Sequence, residues 1–188
     1  AADNVMTFQT IVKTVARRNG LCADFSPKPL ENQPGNGFHI NMSIKSKDGT
    51  DNLPYMIAGV LEKTSEMTVF LNPTDESYLR FGHNRAPRYI SWSSENRSQL
   101  VRIPAAHGEY RRAELRSPDP TANPYLAFAL IIYAGLYGIK NKLDMPKVVD
   151  QNLYKADAGL ISALQKLPDS LDEARLLAKQ SKFIAEHI

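Results

Sequence analysis

Val5, Phe8, Ile11, Val12, Val15 and Ala16 recur at helical spacing, so the chain is expected to open with a helix capped by Asn19-Gly20. A strand is expected around Cys22–Ser26, before a turn-rich stretch from Ser26 to Asn36 that carries Pro27, Pro29 and Pro34. The period then shortens to two. Between Gly37 and Ile44, Phe38, Ile40, Met42 and Ile44 share one face, and His39, Asn41 and Ser43 share the other. Lys47-Asp48-Gly49 closes this half-buried strand. From Leu53 a helix is expected through Ile57, Val60, Leu61 and Thr64 to Asn72-Pro73, and Tyr78 to Tyr89 reads as loop.

Asn96 to Pro104 contains a further expected strand, with Val101 and Ile103 on one face and Leu100 and Arg102 on the other. A loop with His107 and Gly108 leads into Arg111-Arg112-Ala113-Glu114-Leu115-Arg116. There Ala113 and Leu115 face one way and Arg112, Glu114 and Arg116 the other. Pro118-Asp119-Pro120 ends the strand, and Thr121 to Pro124 starts a helix with Pro124 in the first turn. Its apolar run, Tyr125 to Ile139, has about fifteen residues, short of the roughly twenty that span a bilayer. A buried core helix is expected instead. The remaining residues read as short helices, one opened by a capping box at Ser170-Leu171-Asp172-Glu173. Strands and helices neither alternate strictly nor segregate, which predicts an α+β fold. Residues 1–188 are expected to form a single unit, with 145–188 as a helical C-terminal appendix.

Composition narrows the function classes. Apolar content of 43% and charged content of 23% are those of an ordinary globular protein. A net charge of +3, with basic residues scattered rather than blocked, gives no argument for nucleic acid. The lone Cys22 excludes an internal disulfide and reads as a small buried hydrophobe. The first residues lack a basic region and an apolar core, so no signal peptide is expected, and the cytoplasm is the default compartment. Because residue 1 is alanine, the chain is expected to begin inside a longer gene product.

His39 and Glu114 offer one imidazole and one carboxylate, too few to hold a metal alone. Mg²⁺ or Mn²⁺ wants about six ligands, mostly oxygen, and an imidazole points towards Mn²⁺. Arg80, Arg97, Arg102, Arg112 and Arg116 suit bidentate recognition of carboxylate or phosphate. No P-loop or dinucleotide fingerprint is present. Two readings stay open on these residues alone: a polar face for metal and phosphate, or a solvated sheet face.

Longer motifs add to this. Gly35-Asn36-Gly37-Phe38-His39-Ile40-Asn41-Met42-Ser43, Asn72-Pro73-Thr74, Ser77-Tyr78-Leu79-Arg80 and Asn96-Arg97-Ser98 follow one another along the chain. Arg102-Ile103-Pro104, Glu114-Leu115-Arg116-Ser117-Pro118-Asp119, Asn123-Pro124-Tyr125-Leu126-Ala127 and Gly135 through Lys142 complete the series. In this order they resemble the C-terminal part of the glutamine synthetase catalytic domain. The resemblance implies a curved antiparallel sheet with flanking helices, without the family's N-terminal β-grasp domain and the first part of its catalytic domain. It implies a parent ligase that joins glutamate to ammonia through γ-glutamyl phosphate, with ATP as co-substrate and Mg²⁺ or Mn²⁺, working as a homo-oligomer. Without those missing parts this chain alone is expected to be inactive. By the same resemblance, His39 and Glu114 match metal ligands. Arg80 and Arg116 match arginines that hold the substrate carboxylate, with Gly35 and His39 also at the substrate. Arg97 and Arg102 match phosphate-stabilising arginines, and Arg112, Asn41 and Ser43 fall where the family contacts the nucleotide. Arg102 as a structural ion-pair partner and Ser43 as a plain strand residue remain alternatives.

The chain departs from the family pattern at four places. The flap, usually Pro-Gly-(Tyr/Phe)-Glu-Ala-Pro, reads Gly82-His83-Asn84-Arg85-Ala86-Pro87, with a cation in place of the carboxylate that attracts ammonium. Pro34 stands for a glutamate-contacting asparagine, Glu109 for a phosphate-facing lysine, and Asn41 for a frequent histidine. Carboxylate activation is therefore better supported than ammonia as acceptor. A γ-glutamyl ligase using another amine is one alternative, and a non-catalytic binding or assembly module a second. Tyr154 sits where some bacterial members are adenylylated, though Lys155-Ala156-Asp157 differs from the usual context.

Overall fold

The computed structural model describes residues 1–83, 86–106 and 111–188. Its framework is a pair of long helices, α2 (Leu53–Leu71) and α4 (Pro124–Asn141), packed against each other and against a small sheet. Each carries a proline in its first turn, where the missing N–H costs no intrahelical bond. Asn123 caps α4 by accepting from the amides of Tyr125 and Leu126 at 3.0 and 3.3 Å. The two helices approach through glycines. A Cβ on Gly138 would lie 2.1 Å from the Tyr55 carbonyl oxygen, and one on Gly59 2.1 Å from that of Ala134. Ile57, Val60, Met67 and Leu71 of α2 share a buried core with Leu130 of α4 and with Leu100, Val101 and Leu115 from the sheet side.

The sheet holds four short strands, β1 (Ile40–Met42), β2 (Trp92–Ser93), β3 (Val101–Arg102) and β4 (Ala113–Leu115), in the order β1-β4-β3-β2. The expected antiparallel pairing holds for β1 with β4 and for β3 with β4, whereas β2 runs parallel to β3. Ser93 explains how so short a link reverses twice. Its hydroxyl accepts from the amides of Glu95 and Asn96 at 3.2 and 3.1 Å and turns the chain back towards β3.

Several expectations need correction. Cys22 is exposed, and Cys22–Ser26 forms no strand. No neighbouring strand pairs with it; Phe25 instead packs edge-on against Phe8 of α1 (Ala2–Arg18), with 6.4 Å between ring centroids. Leu100 is fully buried and does not share a polar face with Arg102, because β3 starts only at Val101. Nor is α4 buried all round. Ala127, Leu130, Ala134 and Gly138 face inward, while Tyr125, Ile132, Tyr133 and Leu136 are exposed. No helix of the described residues is long and apolar enough to cross a membrane.

Before the terminal helices, an extended stretch is fixed to the sheet edge: the Val149 amide donates to the Trp92 carbonyl at 3.0 Å, and Gln99 Nε2 to that of Gln151 at 2.8 Å. Three helices follow: α5 (Ala158–Ser162), α6 (Leu171–Gln180) and α7 (Lys182–His187). The last two pack on α2. Ser170 caps α6 as expected, but the Glu173 carboxylate reaches the Asp169 amide, one residue before the reciprocal partner of a capping box. A short helix, α3 (Asp75–Tyr78), ends where the segment read as loop begins.

Candidate functional site

The register of the sheet builds the site. Asn41 on β1, Glu114 on β4 and Arg102 on β3 are direct cross-strand neighbours, so their side chains leave the sheet on one face. Glu114 is the hub. Its Oε2 accepts from Arg102 Nε at 2.7 Å, and its Oε1 lies 3.0 Å from His39 Nδ1 and 3.1 Å from Arg116 Nη1. Burial alone would raise the Glu114 pKa. The hydrogen bond from Arg102 and the charge of Arg116 outweigh it and hold the carboxyl below its ordinary range. Burial, with the Arg116 charge beside it, pushes the His39 imidazole down despite the attraction of Glu114. His39 is therefore neutral at pH 7, and against an ionised carboxylate its Nδ1 is the protonated nitrogen.

Arg80 enters from behind. It follows α3 and is buried, with Nη1 donating to the Ser117 carbonyl at 3.0 Å and lying 3.8 Å from Asp119 Oδ2. Burial lowers its pKa and Asp119 raises it in part, so it stays protonated at neutral pH. Asp119 is itself fixed: Oδ2 accepts from Asn72 Nδ2 at 2.9 Å and Oδ1 from the Thr121 amide at 3.0 Å. Glycine is required opposite Arg80. A Cβ on Gly35 would meet Arg80 Cγ at 2.8 Å and the Pro27 carbonyl oxygen at 2.4 Å.

These groups surround one cavity of about 350 Å³, bordered by Gly35, His39, Arg80, Arg97, Arg102, Glu114 and Arg116, with Pro34, Gly37 and Ala86 at its edge. Arg97 reaches it from the β2–β3 connection and is otherwise exposed. Three expected residues lie apart. Arg112 Nε donates to Asn41 Oδ1 at 3.1 Å, and Asn41 and Ser43 border a different space of about 410 Å³ with Met56, Phe128 and Ile131. Arg85, His107 and Glu109 lie outside the described residues.

A family model described as glutamine synthetase, catalytic domain, matches residues 1–188. The chain belongs to that family. It is 42% identical to the glutamine synthetases of Pyrococcus abyssi and Methanosarcina mazei, covering 98% of this chain and 45% of each of theirs. It therefore spans less than half the length of the curated relatives it matches. A solved structure titled as a GmaS/ADP complex superposes with a TM-score of 0.86 at 32% identity, over 99% of this chain and 46% of the other. Apo GmaS without ligand gives 0.84 at 33% identity.

Glutamine synthetases generally use ATP and a divalent metal. The donors here do not make up a metal site by themselves. Both Glu114 oxygens already accept from His39, Arg116 and Arg102, and among the described residues no three His, Cys, Asp or Glu side chains converge. A hard ion wants about six ligands. The residues that sequence reasoning passed over are Asp119 and Asn72, which anchor Arg80. Their only local signal is an acid and an amide beside prolines, at Pro118-Asp119-Pro120 and Asn72-Pro73.

Proposed function

We propose that the arginine-lined cavity binds a carboxylate substrate and stabilises its activation by phosphoryl transfer from ATP, as part of a glutamine synthetase-type ligase. One observation carries this reading: four guanidinium groups converge on a cavity whose lining includes one carboxylate, and that carboxylate is already neutralised. Such a space favours anions and charge that develops on transferring oxygens. In this reading Arg80 and Arg116 hold the substrate carboxylate beside Gly35 and His39. Arg80 Nε is buried with no acceptor among the described residues, which makes it a donor for a ligand. Arg97 and Arg102 neutralise the phosphoryl group, and Arg112, Asn41 and Ser43 contact the nucleotide. His39 and Glu114 would join a Mg²⁺ or Mn²⁺ shell only if Glu114 gave up an arginine contact and further oxygen donors were supplied. The whole ligase makes glutamine from glutamate, ammonia and ATP via γ-glutamyl phosphate, as a cytoplasmic homo-oligomer.

A second reading, a γ-glutamyl ligase for another amine, is favoured by the flap sequence, where Arg85 takes the place of a carboxylate. A panel of amines given to the full-length parent separates the two, since robust glutamine formation discards the second.

For this 188-residue chain the expected result is calorimetric binding of glutamate and ADP, with no release of ADP or glutamine from ATP, glutamate and ammonia. Absence of glutamate binding would remove the basis of the proposal. Turnover by the chain alone would overturn the division of the catalytic machinery drawn here.

A further inference from the structure

A series of hydrogen bonds runs from the β2–β3 connection to the rim of the arginine-lined cavity, and Tyr154 makes the last of them. Ser98, beside Arg97, accepts from the Leu153 amide at 3.0 Å, and Leu153 is buried. The Tyr154 amide donates to Asn152 Oδ1 at 3.0 Å, which holds the backbone in a tight turn. From this fixed base the Tyr154 hydroxyl donates to the Ala86 carbonyl at 3.1 Å. The same carbonyl accepts from the Gly82 amide, also at 3.1 Å. Gly82 has φ +81°, a conformation that glycine alone adopts at little cost. Ala86 borders the arginine-lined cavity. Tyr154 and Gly82 border a second, larger space of about 830 Å³. The tyrosine thus lines one cavity and holds the carbonyl of a residue that lines the other.

We propose that Tyr154 is a positioning residue for the arginine-lined cavity: its hydroxyl, through Ala86, sets the wall against which the anionic ligand packs. The inference rests on the reading of that cavity as a carboxylate site. Tyr154→Phe removes the hydroxyl that grips Ala86, and because that hydroxyl also lies in the electrostatic reach of Arg116, exchange at Gly82 is what reports the tether itself. Tyr154 is 39% exposed, and Tyr154→Phe keeps its ring.

The test takes the 188-residue chain, sodium glutamate as probe, and amide hydrogen exchange at Gly82 as a local reporter. Tyr154→Phe is expected to weaken glutamate roughly fivefold and to speed Gly82 exchange. The melting temperature should stay within about 2 °C, and amides of α2 should exchange as before. A merely structural role would move α2 and Gly82 together, and that result overturns the inference. Unchanged Gly82 exchange overturns it as well, whatever happens to glutamate. Faster Gly82 exchange in a chain that binds no glutamate, wild type included, supports the tether and overturns the carboxylate reading instead.

Discussion

Arg102 and Glu114 stand directly opposite each other on β3 and β4, and the guanidinium Nε donates to the carboxylate Oε2 at 2.7 Å. The pair does two things at once. It ties β3 to β4, and it balances the carboxylate that, among the described residues, shares the cavity lining with four arginines. Arg102 is therefore both an ion-pair partner and a wall of the cavity, and the two roles are compatible.

Glu114→Ala should cost about 3 kcal/mol of stability, because Arg102 and Arg116 would face each other without a counter-charge and His39 would lose its acceptor. Chemical denaturation of the 188-residue chain checks this. A loss below about 1 kcal/mol would mean that solvent already screens the arginines.

Asp119→Asn tests the support behind Arg80. The substitution keeps the shape and one carbonyl acceptor for Asn72, but removes the charge facing a buried guanidinium. A destabilisation of about 3 kcal/mol is expected, with weaker glutamate binding as Arg80 loses its fixed position. Wild-type stability in the variant would show that the Ser117 carbonyl alone satisfies Arg80.

The α+β class and the polar faces of two strands were legible in the sequence, and the way those faces meet was not. Alternation along Gly37–Ile44 and Arg112–Arg116 assigns His39, Asn41, Glu114 and Arg116 to polar faces, because period two is a local property of strands. That the two faces coincide is a matter of register, which a single strand does not encode. β2 escaped notice because two residues, Trp92 and Ser93, carry no period. The outward side of α4 escaped for the opposite reason. Its apolar residues run all the way round, so pattern alone cannot distinguish Leu130, which is buried, from Ile132, which is exposed. Asp119 acquires its role only through Asn72 and Arg80, some forty residues distant in sequence.

The helix pair makes a graded steric prediction. Gly138→Ala would put a Cβ 2.1 Å from the Tyr55 carbonyl, on a helix backbone that cannot yield locally. Gly135→Ala would meet Met56 Cγ at 2.6 Å, the flexible side chain of a residue that can change rotamer. The first should cost at least about 3 kcal/mol and the second about 1 kcal/mol, read from denaturation midpoints. Equal costs would contradict the close crossing of α2 and α4.

Tyr78 gives the pH dependence. It is buried at the end of α3, its ring edge-on to Phe81 at 5.5 Å, and its hydroxyl has no hydrogen-bond partner among the described residues. Burial, helped by the charge of Asp119, pushes its pKa well above the ordinary 10.0. A raised folded-state value means that the unfolded chain gives up the phenolic proton first. The contribution to stability is therefore complete below about pH 10 and is lost as pH rises beyond it. Tyr78→Phe removes both the ionisation and an unsatisfied buried oxygen. It should raise stability at pH 7 by about 1 kcal/mol and flatten the decline between about pH 10 and 11, measured by urea denaturation across that range. A variant less stable than wild type at pH 7 would show that the hydroxyl is solvated and forms a bond worth keeping.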